Sequence, residues 1–304
     1  MLPDIPAPFP LKSAITGTST SLLTCQYADI VDSSTNVYAI TNVGSAKTYL
    51  TDKFSGIVSG VNYSQKNYSL KINEPQTATR QYVTIASNAA LTFGTGDFTV
   101  EAWVLCTGNR ALALNGADDT QFIVCDNSIN STGFSLAMMA DGIITTNPGY
   151  GQTSYFVPSG GTTGTRYFQY NTWYHIAYQR ISGTHSCYIN GVAATVSGSV
   201  NNLNYTTTSM GIGGSAIGAL RYDLTGYISN LRITKALAVY TGAFTPSTTP
   251  LKAAQSSGTN IAAITTQTSL LTCQYNTLFD ASTNKLALTR IGAPDMVNMY
   301  PFPT

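Results

Sequence analysis

Hydrophobic and hydroxyl-bearing side chains alternate in short runs along much of the chain. Clear examples are QYVTIA at 81–86, DFTVEAWVLC at 97–106 and TWYHIAYQRI at 172–181. Because successive side chains of a strand point to opposite faces, this period of two predicts half-buried or sandwich strands. The sequence therefore predicts an all-β protein. The other predicted strands are NYSLKIN at 67–73, TQFIVC at 120–125, GFSLAMMA at 133–140, HSCYING at 185–191 and GYISNLRIT at 226–234.

Glycine-containing turns separate several of these strands. Asn190-Gly191 and Asp141-Gly142 each predict a hairpin with a type I′ turn, in which both central residues need a positive φ. Helical periodicity is nearly absent, and the longest candidate helix, 232–240, is short. Many short strands joined by such turns predict an antiparallel sandwich or barrel.

One stretch of sequence occurs twice. TSLLTCQY at 20–27 is repeated without change at 268–275. At the same spacing, DSSTN (32–36) aligns with DASTN (280–284), and AITNVGSAK (39–47) aligns with ALTRIGAPD (287–295). An ungapped match over nearly thirty residues indicates a duplication.

The repeat divides the chain. We predict an extended Pro-rich N-terminal arm at 1–19, an all-β domain at 20–251, which the resemblance described below implies is a jelly roll, a linker at 252–267 and a partial repeat at 268–304. The partial repeat is shorter than the ~50 residues that a domain generally needs, so it cannot form a core of its own. We therefore expect it to add a strand to a sheet edge of its own chain or of a neighbour. In the second case it is an assembly clasp.

Charge excludes several classes of partner. Charged residues make up only 10% of the chain and the formal net charge is +1, with no run of Lys and Arg. A binder of nucleic acid or of an anionic membrane needs a basic surface, so neither is an expected partner. No apolar run is long enough to span a bilayer, and MLPDIPAPFP at the start lacks the pattern of a secretory signal.

The cysteine pattern indicates the compartment in which the chain folds. The chain has five widely spaced cysteines and no CxxC motif. We interpret them as reduced thiols in small apolar slots of the core, which indicates folding in a reducing cytosol. A low-charge, hydroxyl-rich surface together with this cysteine usage is expected of a virion protein folded in the host cytoplasm.

Three longer motifs carry a resemblance to a known family. GDFTVEAWV at 96–104, NTWYHIAYQR at 171–180 and GYISNLRITKALAVYTGAFTPSTTPL at 226–251 are together similar to a laminin-G-like, concanavalin A-like jelly roll. More narrowly, they resemble the version found in structural proteins of tailed bacteriophages, especially marine cyanophages. The resemblance implies two antiparallel sheets packed face to face, with the first and last strands adjacent.

The resemblance also implies a function. It implies a non-enzymatic virion structural protein, such as a capsid decoration, a spike or a tail-associated fibre subunit. The expected partners are other capsid or tail proteins, copies of the chain itself and host surface glycans. A host-recognition lectin is the alternative, and a glycan-degrading enzyme is a third.

The sequence lacks the residues that glycoside hydrolysis needs. Retaining glucanases use two carboxylates that flank the scissile bond. The chain has only two glutamates, Glu74 and Glu101, and neither lies in a paired-carboxylate motif. We expect His175 to be a hydrogen-bonded histidine of the core or sheet face, and His185 to be exposed near a hairpin. The sequence therefore predicts that the protein is not an enzyme.

Aromatic residues of the 145–170 loop are the candidate contacts to glycan or to a partner. Flat rings beside hydroxyl groups suit sugars, although tyrosines equally pack a loop down or meet another subunit. Trp103 and Trp173 are expected in strands and hence in the core. The candidate contact residues are Tyr150, Tyr155, Phe156, Arg166, Tyr167 and Tyr170.

No cofactor is expected apart from calcium. Asp118, Asp119 and Asp126 lie on either side of a predicted strand and offer the hard oxygen ligands that Ca²⁺ prefers. Aspartates in such loops are equally common as turn formers. A calcium site here is thus a prediction that rests on residue type alone.

Overall fold

The computed structural model describes residues 67–73, 80–108, 120–126, 132–146, 153–197, 204–207, 209–214 and 223–302. These residues belong to one compact unit, Tyr63–Thr304. The predicted N-terminal arm and the N-terminal copy of the repeat lie outside them.

Antiparallel strands account for nearly all regular structure in the described residues. The only helix there is a single 3₁₀ turn at Ala89–Leu91, and this part of the chain has no helix that is long and apolar enough to cross a membrane. The strands are β1 (Ser69–Asn73), β2 (Tyr82–Ile85), β3 (Phe98–Cys106), β4 (Gln121–Asp126), β5 (Ser135–Met138), β6 (Ile143–Thr146), β7 (Thr153–Val157), β8 (Trp173–Ile181), β9 (Thr184–Ile189), β10 (Val192–Ala193), β11 (Thr195–Ser197), β12 (Met210–Ile212), β13 (Thr225–Lys235), β14 (Thr268–Thr272), β15 (Leu288–Ile291) and β16 (Asp295–Val297).

The strands form two sheets. The first has the order β10-β9-β8-β3-β13-β1-β16, with β14 also paired to β13, and the second has the order β11-β7-β6-β5-β4-β12-β2-β15. Along β3, Phe98, Val100, Ala102 and Val104 are at most 1% exposed and lie in the core between the sheets. This alternation confirms the predicted all-β, two-sheet antiparallel sandwich.

The two predicted hairpins form, one of them with a different turn. Asn190 and Gly191 have φ values of 49° and 79°, as a type I′ turn between β9 and β10 requires. Asp141 and Gly142 connect β5 to β6, but neither has a positive φ. The type I′ prediction is wrong there because the connection is longer, and the backbone N–H of Met139 donates to the Gly142 carbonyl at 2.8 Å.

The cysteines of the described residues fit the sequence-based interpretation. All four are free and buried, which confirms that they are core thiols and not a disulfide framework. Burial raises the pKa of Cys273 to about 12, so its thiol stays protonated and unreactive near neutral pH. The four are Cys106, Cys125, Cys187 and Cys273.

A third layer covers part of the outer face of the first sheet. Val239, Tyr240 and Ile264 pack with Ala177 of β8 and Tyr188 of β9 in a second, smaller apolar cluster. The chain between β13 and β14, which includes the predicted linker, therefore lies against the sheet. Gln255 and Ile264 pair there as an isolated bridge.

Candidate functional site

An aromatic cleft of about 280 Å³ lies on the outer face of the first sheet. Its walls come from β3, β8, the β9–β10 turn, the third layer and the C-terminal segment. None of the lining residues carries a charge. They are Trp103, Trp173, Asn190, Pro246, Ser247, Thr248, Pro301 and Phe302.

The pairing of β3 with β8 sets the two tryptophans side by side. Trp103 lies opposite His175, and Leu105 lies opposite Trp173, so the two indoles are diagonal neighbours on one face. Both are only partly buried. The prediction that they belong to strands is confirmed, but the prediction that they lie in the core is wrong. The side chains on either side of Trp103 fill the core, so Trp103 itself must face outwards.

Other rings fix the position of Trp103. Its ring centroid lies 5.3 Å from that of His175 and 6.0 Å from that of Phe302, and both contacts are edge-to-face. The indole Nε1 of Trp103 is buried, and no acceptor for it exists among the described residues. A buried donor without a partner is unfavourable, so this arrangement of Trp103 costs stability.

Small polar groups form the rim of the cleft. The backbone N–H of His175 donates to Asn190 Oδ1 at 2.8 Å, which anchors the β9–β10 turn. The backbone N–H of Phe244 donates to the Gly191 carbonyl at 3.0 Å and ties the third layer to the same turn. Ser247 Oγ donates to the Thr249 carbonyl at 2.6 Å. The rim is therefore held in place and presents neutral hydrogen-bonding groups.

A buried polar cluster lies beside the cleft and holds the third layer down. Glu101 Oε1 accepts from Arg232 Nη2 at 2.6 Å and from Nε at 2.9 Å. Glu101 Oε2 lies 3.2 Å from His175 Nε2 and accepts from the Tyr240 hydroxyl at 2.5 Å. Arg232 Nη1 donates to the Lys252 carbonyl at 2.9 Å. The cluster thus connects the sheet to the chain that follows β13.

The carboxylate of this cluster is charged. Burial by itself raises the pKa of Glu101, but the Arg232 guanidinium and the hydrogen bonds from His175 and Tyr240 outweigh it and hold the pKa at about 2. The buried position of His175 confirms the sequence-based prediction for that residue.

His185 is not exposed. It is 7% exposed and its Nδ1 is hydrogen-bonded to the Tyr178 hydroxyl. The prediction for this residue is wrong because β9 turns His185 towards the core-facing ring of Tyr178. Burial, with the charge of Arg180, lowers the pKa of His185 to about 4.

The described candidate residues of the 145–170 loop are not among the residues that line the cleft. Phe156 is 1% exposed and its ring packs on Tyr178, so it is not available to a ligand in this structure. Tyr167 and Tyr170 are half-buried against the main core. The Arg166 guanidinium lies 4.4 Å from the centroid of the Tyr170 ring.

These contacts show how the rings pack, and the proposed glycan or partner contact stays a prediction. Tyr155 is half-buried in β7. Tyr150 lies outside the described residues.

Calcium binding also stays a prediction. Asp118 and Asp119 lie outside the described residues. Asp126 ends β4 with its side chain fully buried, and it accepts a hydrogen bond from Thr207 Oγ1 at 3.2 Å. No group of three His, Cys, Asp or Glu side chains suited to a metal ion occurs in the described part of the chain.

Sequence reasoning missed the cleft for two reasons. The pairing of two outward-facing tryptophans follows from the β3–β8 register, which a single sequence does not reveal. A signal was present in β3, where Trp103 falls out of phase with the apolar residues of the strand. The contribution of Phe302 depends on where the C-terminal repeat folds back.

The family profile of the concanavalin A-like lectin/glucanases superfamily, Laminin_G_3, matches residues 77–239. This match spans more than half of the chain. The chain belongs to this superfamily. The matched region runs from before β2 to the third layer and contains both tryptophans of the cleft. No curated protein matches this superfamily member.

Three solved structures are similar at low identity. A candidate carbohydrate-binding protein from Bacteroides ovatus is 15% identical with a TM-score of 0.49, and the match covers 77% of this chain and 60% of that one. A heptameric SAP-like pentraxin from Limulus polyphemus is 15% identical with a TM-score of 0.40, covering 57% and 78%. Mouse laminin α1 domains LG4-5 are 12% identical with a TM-score of 0.34, covering 51% and 41%. The superfamily match, and not these distant likenesses, identifies the fold.

Proposed function

We propose that this superfamily member is a non-enzymatic binding protein that takes a neutral glycan in the aromatic cleft. The observation that carries the proposal is the pair of adjacent, partly exposed tryptophans, Trp103 and Trp173, in a cleft without charged residues. The apolar faces of sugar rings stack on indole rings, and sugar hydroxyls pair with neutral hydrogen-bonding groups such as those of Asn190 and Ser247.

The size of the cleft supports a short ligand. Its volume of about 280 Å³ lies just below the ~300–1,000 Å³ of pockets that bury a drug-sized molecule. An end of a glycan chain, or a short stretch of one, suits this volume better than a long polymer. Since the lining has no cation, glycans with sialic acid or sulfate gain no ion pair there.

The non-enzymatic part of the proposal rests on the carboxylates. Glycosidases of this fold need two carboxyl groups on either side of the scissile bond, and the cleft lining has none. Glu101 lies beside the cleft, but it is 0% exposed and its carboxylate is occupied by Arg232, His175 and Tyr240. A carboxylate with a pKa of about 2 is also a poor general acid at neutral pH.

A glycan array with three forms of the protein tests this proposal. We expect the unchanged protein to bind neutral glycans, and Trp173→Ala to bind them about fivefold more weakly, because a lost stacking contact is worth about 1 kcal/mol. Tyr167→Ala is the matched control, since this ring packs against the main core and does not line the cleft. Loss of binding in Tyr167→Ala with full binding in Trp173→Ala would move the site to the loop and contradict the proposal.

We further propose that this binding protein is part of a phage particle, as a capsid decoration, a spike or a tail-associated fibre subunit. Two features support this second candidate. Charged residues make up only 10% of the chain, and the stretch at 20–47 is repeated at 268–295. Its partners would be other virion proteins and copies of itself, after folding in the host cytoplasm. Antibody labelling of purified particles tests it, and particles without label would contradict it.

A further inference from the structure

The C-terminal repeat, residues 268–302, supplies two strands to the first sheet and one to the second. β14 pairs with the second half of β13 and β16 pairs with β1 in the first sheet, while β15 pairs with β2 in the second. Its side chains Leu270, Cys273, Leu286 and Met296 belong to the main core. The sandwich is therefore complete only when this repeat is docked.

Asp280 organises the repeat internally. Its Oδ1 accepts from the backbone N–H groups of Leu271 at 3.0 Å and Ser282 at 2.8 Å, and its Oδ2 accepts from the backbone N–H of Leu286 at 2.9 Å. Asn284 Nδ2 donates to the Ser269 carbonyl at 2.9 Å. These bonds fold β14 and the following chain into one unit, because buried backbone donors need partners.

Asn230 and Gln274 attach this unit to the sandwich. Asn230 is fully buried in an irregular stretch of β13, with a φ of 55°. Gln274 Nε2 donates to Asn230 Oδ1 and, at 2.8 Å, to the Leu251 carbonyl. The Asn230 N–H donates to the Cys273 carbonyl at 3.0 Å, and the Tyr68 N–H donates to the Gln274 carbonyl at 3.2 Å. We call the N-terminal copy and the C-terminal repeat the two cassettes. The surface of β13, β1 and β2 that holds the C-terminal one is the cassette slot.

The N-terminal copy carries the same determinants. Residues 20–47 repeat the stretch that forms β14 and β15, although the match ends at Asp295, the first residue of β16. The side chains that organise and attach the docked repeat are all present. Ser269, Leu270, Cys273, Gln274, Asp280, Ser282 and Asn284 correspond to Ser21, Leu22, Cys25, Gln26, Asp32, Ser34 and Asn36.

Each chain thus has two cassettes, while the described residues form a single cassette slot, which the C-terminal copy fills. We propose that residues 20–47 of a second copy of this chain exchange into that slot, so that chains link head to tail. Because the donor and acceptor surfaces differ, the contact is heterologous, and it links chains head to tail into rings or open chains. The resident copy is tethered at an effective concentration of about millimolar, so linking is favoured where chains are crowded. The exchange does not require glycan binding.

Disulfide trapping in the full chain tests the exchange. Thr84 lies opposite Thr289 across β2 and β15, and Thr41 is the repeat equivalent of Thr289. Directly opposed strand residues are close enough for a disulfide. As a control for geometry, Thr84→Cys with Thr289→Cys should form a disulfide within one chain. Thr84→Cys with Thr41→Cys should instead give a ladder of linked chains on a non-reducing gel, with the 41–84 link identified by peptide mapping.

Two further substitutions test the two copies of the repeat one at a time. In the Thr84→Cys, Thr41→Cys background, Asp280→Ala weakens only the resident cassette and should increase the ladder severalfold, whereas Asp32→Ala should abolish it. A 41–84 disulfide found only within single chains would show that the copy folds onto its own chain, and it would overturn the proposal. Absence of the ladder while the control disulfide forms would overturn the proposal as well. If Asp280→Ala fails to fold, the protein with Thr84→Cys and Thr41→Cys alone is tested at rising protein concentration, and the presence or absence of its ladder decides.

Discussion

Glu101 keeps its charge although its side chain is fully buried. It does so because Arg232 offers two donors in a fork, while His175 and Tyr240 meet the second oxygen. Removing one partner of such a buried pair costs about 3–5 kcal/mol, since the other charge stays behind without compensation. The carboxylate stabilises the fold above pH 4.5, and this contribution is lost as the pH falls towards about 2.

His185 gives a second, separate pH dependence. Its pKa of about 4 in the folded protein lies below the ordinary 6.5, so the unfolded chain binds more protons between these values. We expect the free energy of unfolding to fall as the pH drops from 6.5 to 4 and to change little on this account below 4. His185→Gln should flatten that slope. Urea unfolding at pH 7.5, 6 and 5 measures it, and equal slopes in both proteins would refute the assignment.

At the scale of single elements, the β9–β10 turn has two structural roles. It reverses the chain at Asn190-Gly191, and it receives the third layer through the hydrogen bond from Phe244. A Cβ at Gly191 would lie 1.9 Å from the Phe244 carbonyl oxygen and 3.0 Å from Pro246 Cδ. Any larger residue there would push the third layer away from the cleft.

Two glycine substitutions separate conformational strain from steric clash. Gly160 has almost the same φ as Gly191, +78° against +79°, but nothing lies within 4 Å of its added Cβ. Gly160→Ala should cost about 1 kcal/mol of unfolding free energy through the positive φ alone. Gly191→Ala should cost about 2 kcal/mol more, because the Phe244 backbone must move. Equal losses in urea unfolding would mean that the turn does not support the third layer.

At the scale of the whole molecule, the cleft joins parts that are distant in sequence. Trp103 and Trp173 come from the sheet, Pro246 from the third layer and Phe302 from the C-terminal repeat. The repeat therefore both completes the sandwich and closes one side of the candidate site. Ligand binding and docking of the repeat should be coupled for this reason.

The fold can be predicted from the sequence alone, but the candidate site cannot. Alternation along β3 and β8 predicts paired strands, and Asn190-Gly191 predicts the hairpin, because both signals are local. The cleft depends on the register between β3 and β8, which is set by packing across the whole sheet. The burial of His185 likewise depends on Tyr178, a residue of the neighbouring strand.

Tryptophan fluorescence during a glycan titration tests the central claim most directly. The chain has only two tryptophans, and both line the cleft, so their emission reports on this site alone. With a neutral oligosaccharide selected on the array, we expect a saturable change in emission at the concentrations at which binding is measured by calorimetry. Calorimetric binding without any change in tryptophan emission would place the sugar elsewhere on the protein and contradict this account.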